Sequence, residues 1–228
     1  MIESFRSAGI EISEAQCAKL SELTEFMLEY NKKVNLTRIT EENEIIEKHY
    51  IDSILPLVMI DVPRGTSLID VGTGAGFPSV PMKIYRDDLD ITMIDSLNKR
   101  IVYLDELCKK LDINCKKYHI RSEEAGRDKS FREKYDIAAA RAVAALNILC
   151  EYCLPFVKKN GLFIAMKGER DETKEAENSI SQLGGKIKEI KRYSLPSGDK
   201  RSLVIIEKIK ETPPKYPRTS ALISKKPL

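Results

Sequence analysis

Residues 68–78, Leu-Ile-Asp-Val-Gly-Thr-Gly-Ala-Gly-Phe-Pro, run an apolar strand straight into three glycines at alternate positions, Gly72, Gly74 and Gly76. Glycine lets a backbone approach a ligand closely and turn through conformations closed to other residues. In an open α/β sheet, ligands bind outside the carboxyl ends of the strands, beside such a turn. Asp95 closes the next apolar run, Ile91–Asp95, 19 residues after Gly76, where a carboxylate accepts hydrogen bonds from both hydroxyls of a ribose. Asp70, near the end of the first run, can face a cationic group of the ligand or cap the loop. The dinucleotide fingerprint requires its third glycine where this chain has Phe77, and no Gly-Lys-Ser/Thr follows to make a P-loop. None of the nine tyrosines has a lysine four residues on, which removes the pair used by short-chain reductases.

Such residues need a scaffold, and the chain supplies one. Residues 13–30 place apolar side chains at steps of three and four, with Ser13 as N-cap, and predict an amphipathic helix. A second helix is predicted over Thr40–Leu55, capped by Thr40, with His49 and Asp52 on one face. From Thr66 the pattern changes to short β-branched runs alternating with helices. Strands are predicted at Ser67–Val71, Asp90–Ile94, Cys115–His119, Ile137–Ala140, Leu162–Met166, Lys186–Tyr193 and Ser202–Lys208. Helices are predicted at Val80–Arg86, Lys99–Leu111, Ala145–Phe156 and Glu172–Gln182. Strands separated by helices imply right-handed crossovers and a mostly parallel sheet. The last two strands have only a loop with turn chemistry between them, so the sheet is expected to end in an antiparallel hairpin. The predicted fold is α/β and Rossmann-like, with seven strands. A helical extension over residues 1–60 precedes the α/β domain over 61–211. Residues 212–228, rich in Pro and Lys, read as a basic tail rather than a packed element.

Overall composition is ordinary for a globular protein, with 42% apolar and 32% charged residues and a net charge of +3. That mean conceals an asymmetry: residues 1–60 carry 6 basic and 11 acidic side chains, 61–182 carry 20 of each, and 183–228 carry 12 and 4. The five cysteines are scattered and odd in number, and the first residues include Glu3 and Arg6 without an apolar stretch, which reads as reduced thiols in the cytoplasm. The longest apolar stretch, Ile54–Ile60, contains Pro56 and is too short to cross a bilayer. Cys150 and Cys153 stand three apart on a helix with no second cysteine pair, so they read as buried apolar residues and no metal is expected. His49 and Asp52 read first as a structural hydrogen-bonding pair, with a role near the substrate left open.

A Gly-x-Gly-x-Gly loop followed by an acidic strand end resembles the S-adenosylmethionine-dependent methyltransferases. Methyl transfer from a sulfonium is an in-line displacement, for which alignment matters most and a base only if the nucleophile must lose a proton. No Pro-Cys is present to attack a pyrimidine carbon, and the fourth strand ends in Ala-Arg-Ala-Val rather than the Asn/Asp-Pro-Pro-aromatic turn that receives an exocyclic amine. Arg141 at that point suits an acceptor-rich edge such as guanine O6/N7, which arginine reads with two hydrogen bonds. Residue chemistry alone leaves other acceptors open.

Several stretches together resemble the ribosomal RNA small subunit methyltransferase G family, also called the glucose-inhibited division protein B family. They are Asn35–Thr40, Lys48-His49 with Asp52-Ser53, Asp70–Pro78, Asp95–Leu97 with Lys99-Arg100, Glu123-Glu124, Ala140–Ala144 and Lys215–Arg218. The resemblance covers nearly the whole chain. It implies S-adenosylmethionine as cofactor and methylation of guanine N7 in 16S ribosomal RNA, met free, in the 30S subunit or in an assembly intermediate. No membrane and no obligate protein partner are implied. The family's cofactor contacts fall on Gly72, Phe77, Ser122, Glu123 and Arg141, joined by Gly74, Gly76 and Asp95. Arg141 also lies between cofactor and acceptor. Asn35, His49, Lys167, Arg201, Lys215 and Arg218 match positions expected to face the substrate or RNA, and the basic end adds Lys208, Lys210, Lys225 and Lys226 as candidate phosphate contacts. Ser79 departs from the family's glycine after Phe-Pro. Two alternatives stay open: a small-molecule or protein acceptor, and a ribosome-binding module that keeps the fold without the activity.

Overall fold

A computed structural model describes all residues, 1–228. Its centre is a seven-stranded sheet of β1 (Ser67–Val71), β2 (Asp90–Asp95), β3 (Lys116–His119), β4 (Tyr135–Arg141), β5 (Val157–Lys167), β6 (Gly185–Ser194) and β7 (Lys200–Lys208), in the order β3-β2-β1-β4-β5-β7-β6. The first five strands are parallel; β7 runs antiparallel to both β5 and β6. Strand order reverses at β1 and β4, the crevice where open α/β sheets bind ligands. The predicted strands and terminal hairpin are all present, most of them one to six residues longer than expected.

Alternation decides which face each strand residue joins. Leu68, Met93, Ile137, Ala139, Ile164, Met166, Leu203 and Ile205 enter one buried cluster, which the N-terminal helices cover. Ile69, Ile94, Ala138, Ala140, Phe163, Ala165, Val204 and Ile206 enter the other. By the same period of two, Asp70, Arg141 and Arg201 belong to the first face. Arg141 therefore points at the N-terminal helices.

The first face is covered by α2 (Glu14–Asn31), α4 (Asp52–Met59), α5 (Ser79–Tyr85) and α6 (Asn98–Lys110), with α1 (Ile2–Ser7) set against the N-terminal helices by the buried Phe5. Ser13 caps α2 as expected: its Oγ accepts the Gln16 N–H, and Gln16 Oε1 accepts the Ser13 N–H at 2.9 Å. Gln16 Nε2 also donates to the Tyr85 carbonyl at 2.9 Å, tying the start of α2 to the end of α5. Gln16→Ala is expected to lower stability by about 1–2 kcal/mol, read from the urea midpoint, because it removes the side-chain half of the capping box and that tie together while the Ser13 cap itself stays.

The second predicted helix differs from expectation. Thr40 makes no cap; α3 (Glu42–Glu44) follows Glu41, passes into a π-helical turn over Ile45–Ile51, and continues as α4. In the π turn the Asp52 N–H reaches back five residues to the Glu47 carbonyl. Such insertions concentrate at functional sites, and this one carries His49.

On the second face lie α8 (Leu146–Cys153), a 3-10 turn over Leu154–Phe156, and α9 (Thr173–Gln182). Pro155 sits where the predicted helix changes to that turn. Cys150 and Cys153 are fully buried there, packed as apolar side chains. Residues 212–228 correct the expectation of an unpacked tail. Tyr216 is 4% exposed, Ile223 is fully buried, and Ser220–Lys225 form a short helix, α10. Lys208, expected among the phosphate contacts, is fully buried, 3.2 Å from Glu133 and donating to the Leu154 carbonyl.

Candidate functional site

Two cavities open at the carboxyl ends of the strands, on either side of the Arg141–Val143 turn that ends β4. The smaller, about 140 Å³, is lined by Gly72, Asp95, Ser122, Glu123, Val143, Tyr152 and Ser220 among others. The larger, about 500 Å³, is lined by Ile39, Lys48, His49, Asp52, Arg141, Ala142, Lys167, Arg201 and their neighbours. Val143 faces one cavity, Arg141 and Ala142 the other. Ala142 adopts a left-handed φ of 54° at the divide.

The first glycine of the loop, Gly72, lines the smaller cavity. Gly72 has φ +73°, and a Cβ there would lie 2.9 Å from Val143 Cγ2, so any other residue strains the backbone and displaces Val143. Gly76, at φ +91°, is close to Val80 and Leu104 instead; it serves packing of the loop on its helices. Asp95 is nearly buried and holds the loop: Oδ2 accepts the Gly74 N–H at 3.0 Å and a bond from Arg100 at 3.1 Å, and Oδ1 accepts the Leu97 N–H at 2.9 Å. Asp70 is fully buried; Oδ2 accepts from Ser79 Oγ at 2.6 Å, while Oδ1 accepts no hydrogen bond. Burial raises its pKa, opposed by the Ser79 hydrogen bonds, the nearby Thr73 hydroxyl and the charge of Arg141. Ser79, the departure from the family pattern, thus supplies the hydroxyl that Asp70 uses. Ser122 and Glu123 open a helical turn, α7 (Ser122–Ala125), too short for side-chain periodicity to announce. Carboxylates at Asp95 and Glu123 beside Gly72 fit a cationic ligand rich in hydroxyl and amine donors, as S-adenosylmethionine is; Asp70, buried on Ser79, caps the loop from behind and lines neither cavity.

In the larger cavity, elements distant in sequence converge on one ion cluster. Arg141 Nη1 donates to the Lys48 carbonyl at 2.9 Å and to Asp52 Oδ2 at 3.3 Å, and Nη2 lies 3.4 Å from His49 Nδ1. Asp52 Oδ1 accepts from Tyr193 Oη at 3.1 Å and is 3.7 Å from Arg201 Nε. The His49 ring stacks on Phe77, centroids 4.3 Å apart, and the Arg141 guanidinium sits 5.3 Å from the Phe77 centroid. The π turn makes this possible by presenting the Lys48 carbonyl, His49 and Asp52 to a single guanidinium.

Arginine only donates, so His49 Nδ1 is the acceptor and Nε2 carries the proton, donating to Thr37 Oγ1 at 3.0 Å. Burial, followed by the charge of Arg141, lowers the His49 pKa from 6.5 to about 3. The unfolded chain takes up this proton below pH 6.5, whereas the folded protein does not until about pH 3. Stability is therefore complete above 6.5 and falls as the pH drops through that window. Between pH 7 and 5 the His49 contribution is expected to decline by about 2 kcal/mol. Urea titrations should show that decline in the parent and lose that part of it in His49→Asn.

Not every expected site residue joins a cavity. Asn35 is exposed and forms no side-chain hydrogen bond; it is Asn31 that shapes the loop, accepting the Leu36 and Thr37 N–H groups on Oδ1. Phe77 lies beneath His49 rather than in the smaller cavity, and Gly74 and Gly76 do not line it either, the first bonding to Asp95 and the second packing on Val80 and Leu104. Arg141 lines the acceptor-side cavity. Lys167 lines the larger cavity with its amine bound to the Ala144 carbonyl at 2.9 Å and to Glu172 at 3.0 Å. Arg201 lines it as well, between Asp52 and Asp199. Lys215, Lys210, Lys225 and Lys226 are exposed, but Arg218 turns inward onto Glu151. Asp52 and Tyr193 complete the cluster. Alternation placed Tyr193 on no particular face because β6 carries a register shift between Ile187 and Glu189.

Comparison with known proteins identifies the family. The chain matches the family model described as GidB, rRNA small subunit methyltransferase G, over residues 16–204. It is 47% identical over 226 residues to the ribosomal RNA small subunit methyltransferase G of Lactobacillus johnsonii, covering 96% of this chain and 95% of that one. The protein of the same name from Alkaliphilus metalliredigens is 46% identical over 224 residues, covering 96% and 94%. Among solved structures, M. jannaschii TYW2 in complex with AdoMet aligns with a TM-score of 0.55 at 14% identity, over 75% of this chain and 80% of that one. A SAM-dependent O-methyltransferase from Thermotoga maritima aligns at 0.56 and 13%, over 83% and 72%. At those identities the structural likeness establishes the methyltransferase fold alone. Family model and full-length identity go further, and the chain belongs to the ribosomal RNA small subunit methyltransferase G family.

Proposed function

We propose that this protein methylates N7 of a guanine in 16S ribosomal RNA, using S-adenosylmethionine bound in the smaller cavity, and that it acts in the cytoplasm on the RNA, the 30S subunit or an assembly intermediate. The cofactor supplies a methyl group activated by its sulfonium. The observation that carries the reading is a guanidinium at the boundary of two cavities with no free base beside it. Both His49 nitrogens are engaged, and both Asp52 oxygens are held by Arg141, Tyr193 or Arg201. Beside Arg141 a nucleophile that must shed a proton meets only these engaged groups, and the two other carboxylates lining the larger cavity, Glu169 and Glu172, are paired with Lys200 and Lys167. Guanine N7 attacks with a lone pair and sheds none, so alignment is the main task left to the protein. Arg141, fixed from three sides, is the donor available to O6 beside N7. Gly72, Asp95, Ser122 and Glu123 hold the nucleoside, and the Arg141–Val143 turn sets the distance between the two ligands.

Incubation with S-adenosylmethionine labelled in its methyl group tests this reading. Label is expected in 16S RNA as 7-methylguanine and is expected to vanish after RNase treatment. Label in a small molecule or protein, undiminished by RNase, would favour the other acceptor classes. No transfer despite RNA binding would favour the non-catalytic module.

A further inference from the structure

The C-terminal segment is anchored where a free RNA-binding tail would have no reason to be. Glu151, 1% exposed on α8, accepts the Arg218 backbone N–H at 2.7 Å and the Arg218 side chain at 2.9 Å through Nε and 2.6 Å through Nη2. Arg127 donates to the Pro217 carbonyl at 2.7 Å, and Arg132 donates to the Tyr216 carbonyl at 2.9 Å. Both arginines follow closely on α7, the turn that carries Ser122 and Glu123. The neighbour of Glu151 is Tyr152, and two residues beyond Arg218 is Ser220; both line the smaller cavity beside Ser122 and Glu123. One ion pair, buried at Glu151 and half-buried at Arg218, thus ties two elements of the same wall.

We propose that Arg218 and Glu151 are positioning residues for the methyl donor: by docking residues 212–228 they set Tyr152 and Ser220 against the nucleoside end of the cofactor, and Arg218 makes no RNA contact. A buried bidentate pair confers geometry that an exposed lysine-rich tail lacks. An aromatic side chain and a hydroxyl, next to a carboxylate, form a wall suited to a purine with its exocyclic amine. The inference rests on the donor reading of this cavity.

Calorimetry with S-adenosylhomocysteine, together with the salt dependence of 16S RNA binding, tests it. Arg218→Ala is expected to weaken S-adenosylhomocysteine at least tenfold and to raise KM for S-adenosylmethionine similarly, with kcat at saturating donor and the RNA salt slope within twofold of the parent. Arg218→Lys should recover part of the affinity. Ser220→Phe, which narrows the cavity without touching the ion pair, should weaken the product likewise while melting as the parent does, and so serves if Arg218→Ala fails to fold. Parent-like product affinity in both variants, or a reduced RNA salt slope with product binding intact in Arg218→Ala, would overturn the proposal. A parent that binds no S-adenosylhomocysteine would instead overturn the donor reading beneath it.

Discussion

Arg141→Ala is expected to lower kcat/KM for RNA methylation at least about 100-fold, the cost typical of misplacing reacting groups by an ångström. The same change removes one partner of a buried pair, which commonly costs about 3–5 kcal/mol. Here the lower end is expected, because Asp52 keeps its Tyr193 bond and its proximity to Arg201. Activity and stability can be separated. Arg141→Ala combined with Asp52→Asn removes the uncompensated charge and should recover much of the stability and none of the activity. Arg141→Lys keeps the charge but lacks the planar fork that spans the Lys48 carbonyl, Asp52 and His49, so about a tenfold loss is expected with near-parental melting. Steady-state kinetics and urea unfolding of the three variants check both statements. Activity in Arg141→Ala within a few-fold of the parent would make the cluster a structural device only.

The second large effect is expected at Gly72. Any side chain there meets two penalties: an L-residue at φ +73°, worth about 1–2 kcal/mol, and a Cβ 2.9 Å from Val143 Cγ2. Overpacking of this kind costs about 1–3 kcal/mol unless the neighbour shifts. Val143 can shift, being 40% exposed, but it stands at the divide between the cavities, and its movement narrows the one lined by Gly72. Gly72→Ala is therefore expected to weaken S-adenosylhomocysteine more than about tenfold, the equivalent of roughly 1.4 kcal/mol, as measured by calorimetry. Val143→Ala added to it should restore part of that affinity by relieving the contact and leave the backbone strain. Equal affinities in parent and Gly72→Ala would place the donor elsewhere.

Much of this site is legible in the order of residues along the chain. The glycine loop and Asp95 lie at strand ends that apolar runs define. Arg141 follows Ile137 and Ala139 on one face by simple alternation, which is enough to aim it at the N-terminal helices. What the sequence concealed was geometry without a periodic signature. The π turn over Ile45–Ile51 depends on a shift in backbone bonding that no side-chain pattern announces. Its result, the Lys48 carbonyl bound to Arg141, is a backbone contact 93 residues apart in sequence. Charge counting failed in a different way. The excess of lysine and arginine after Leu183 suggested a phosphate surface, yet Lys208 and Arg218 each meet a carboxylate folded in from elsewhere, Glu133 and Glu151. Lys167 is paired as well, with Glu172 five residues along the chain. Composition counts charges; only the fold pairs them.

The central claim, transfer to guanine N7 in 16S ribosomal RNA, is tested most directly in cells. Reduction and mild cleavage break RNA at 7-methylguanine, and primer extension then reports each site as a stop. In 16S RNA from cells lacking this protein, one stop present in the parent is expected to disappear, to return with the intact gene, and to stay absent with Arg141→Ala. An identical pattern of stops with and without the protein would contradict the account.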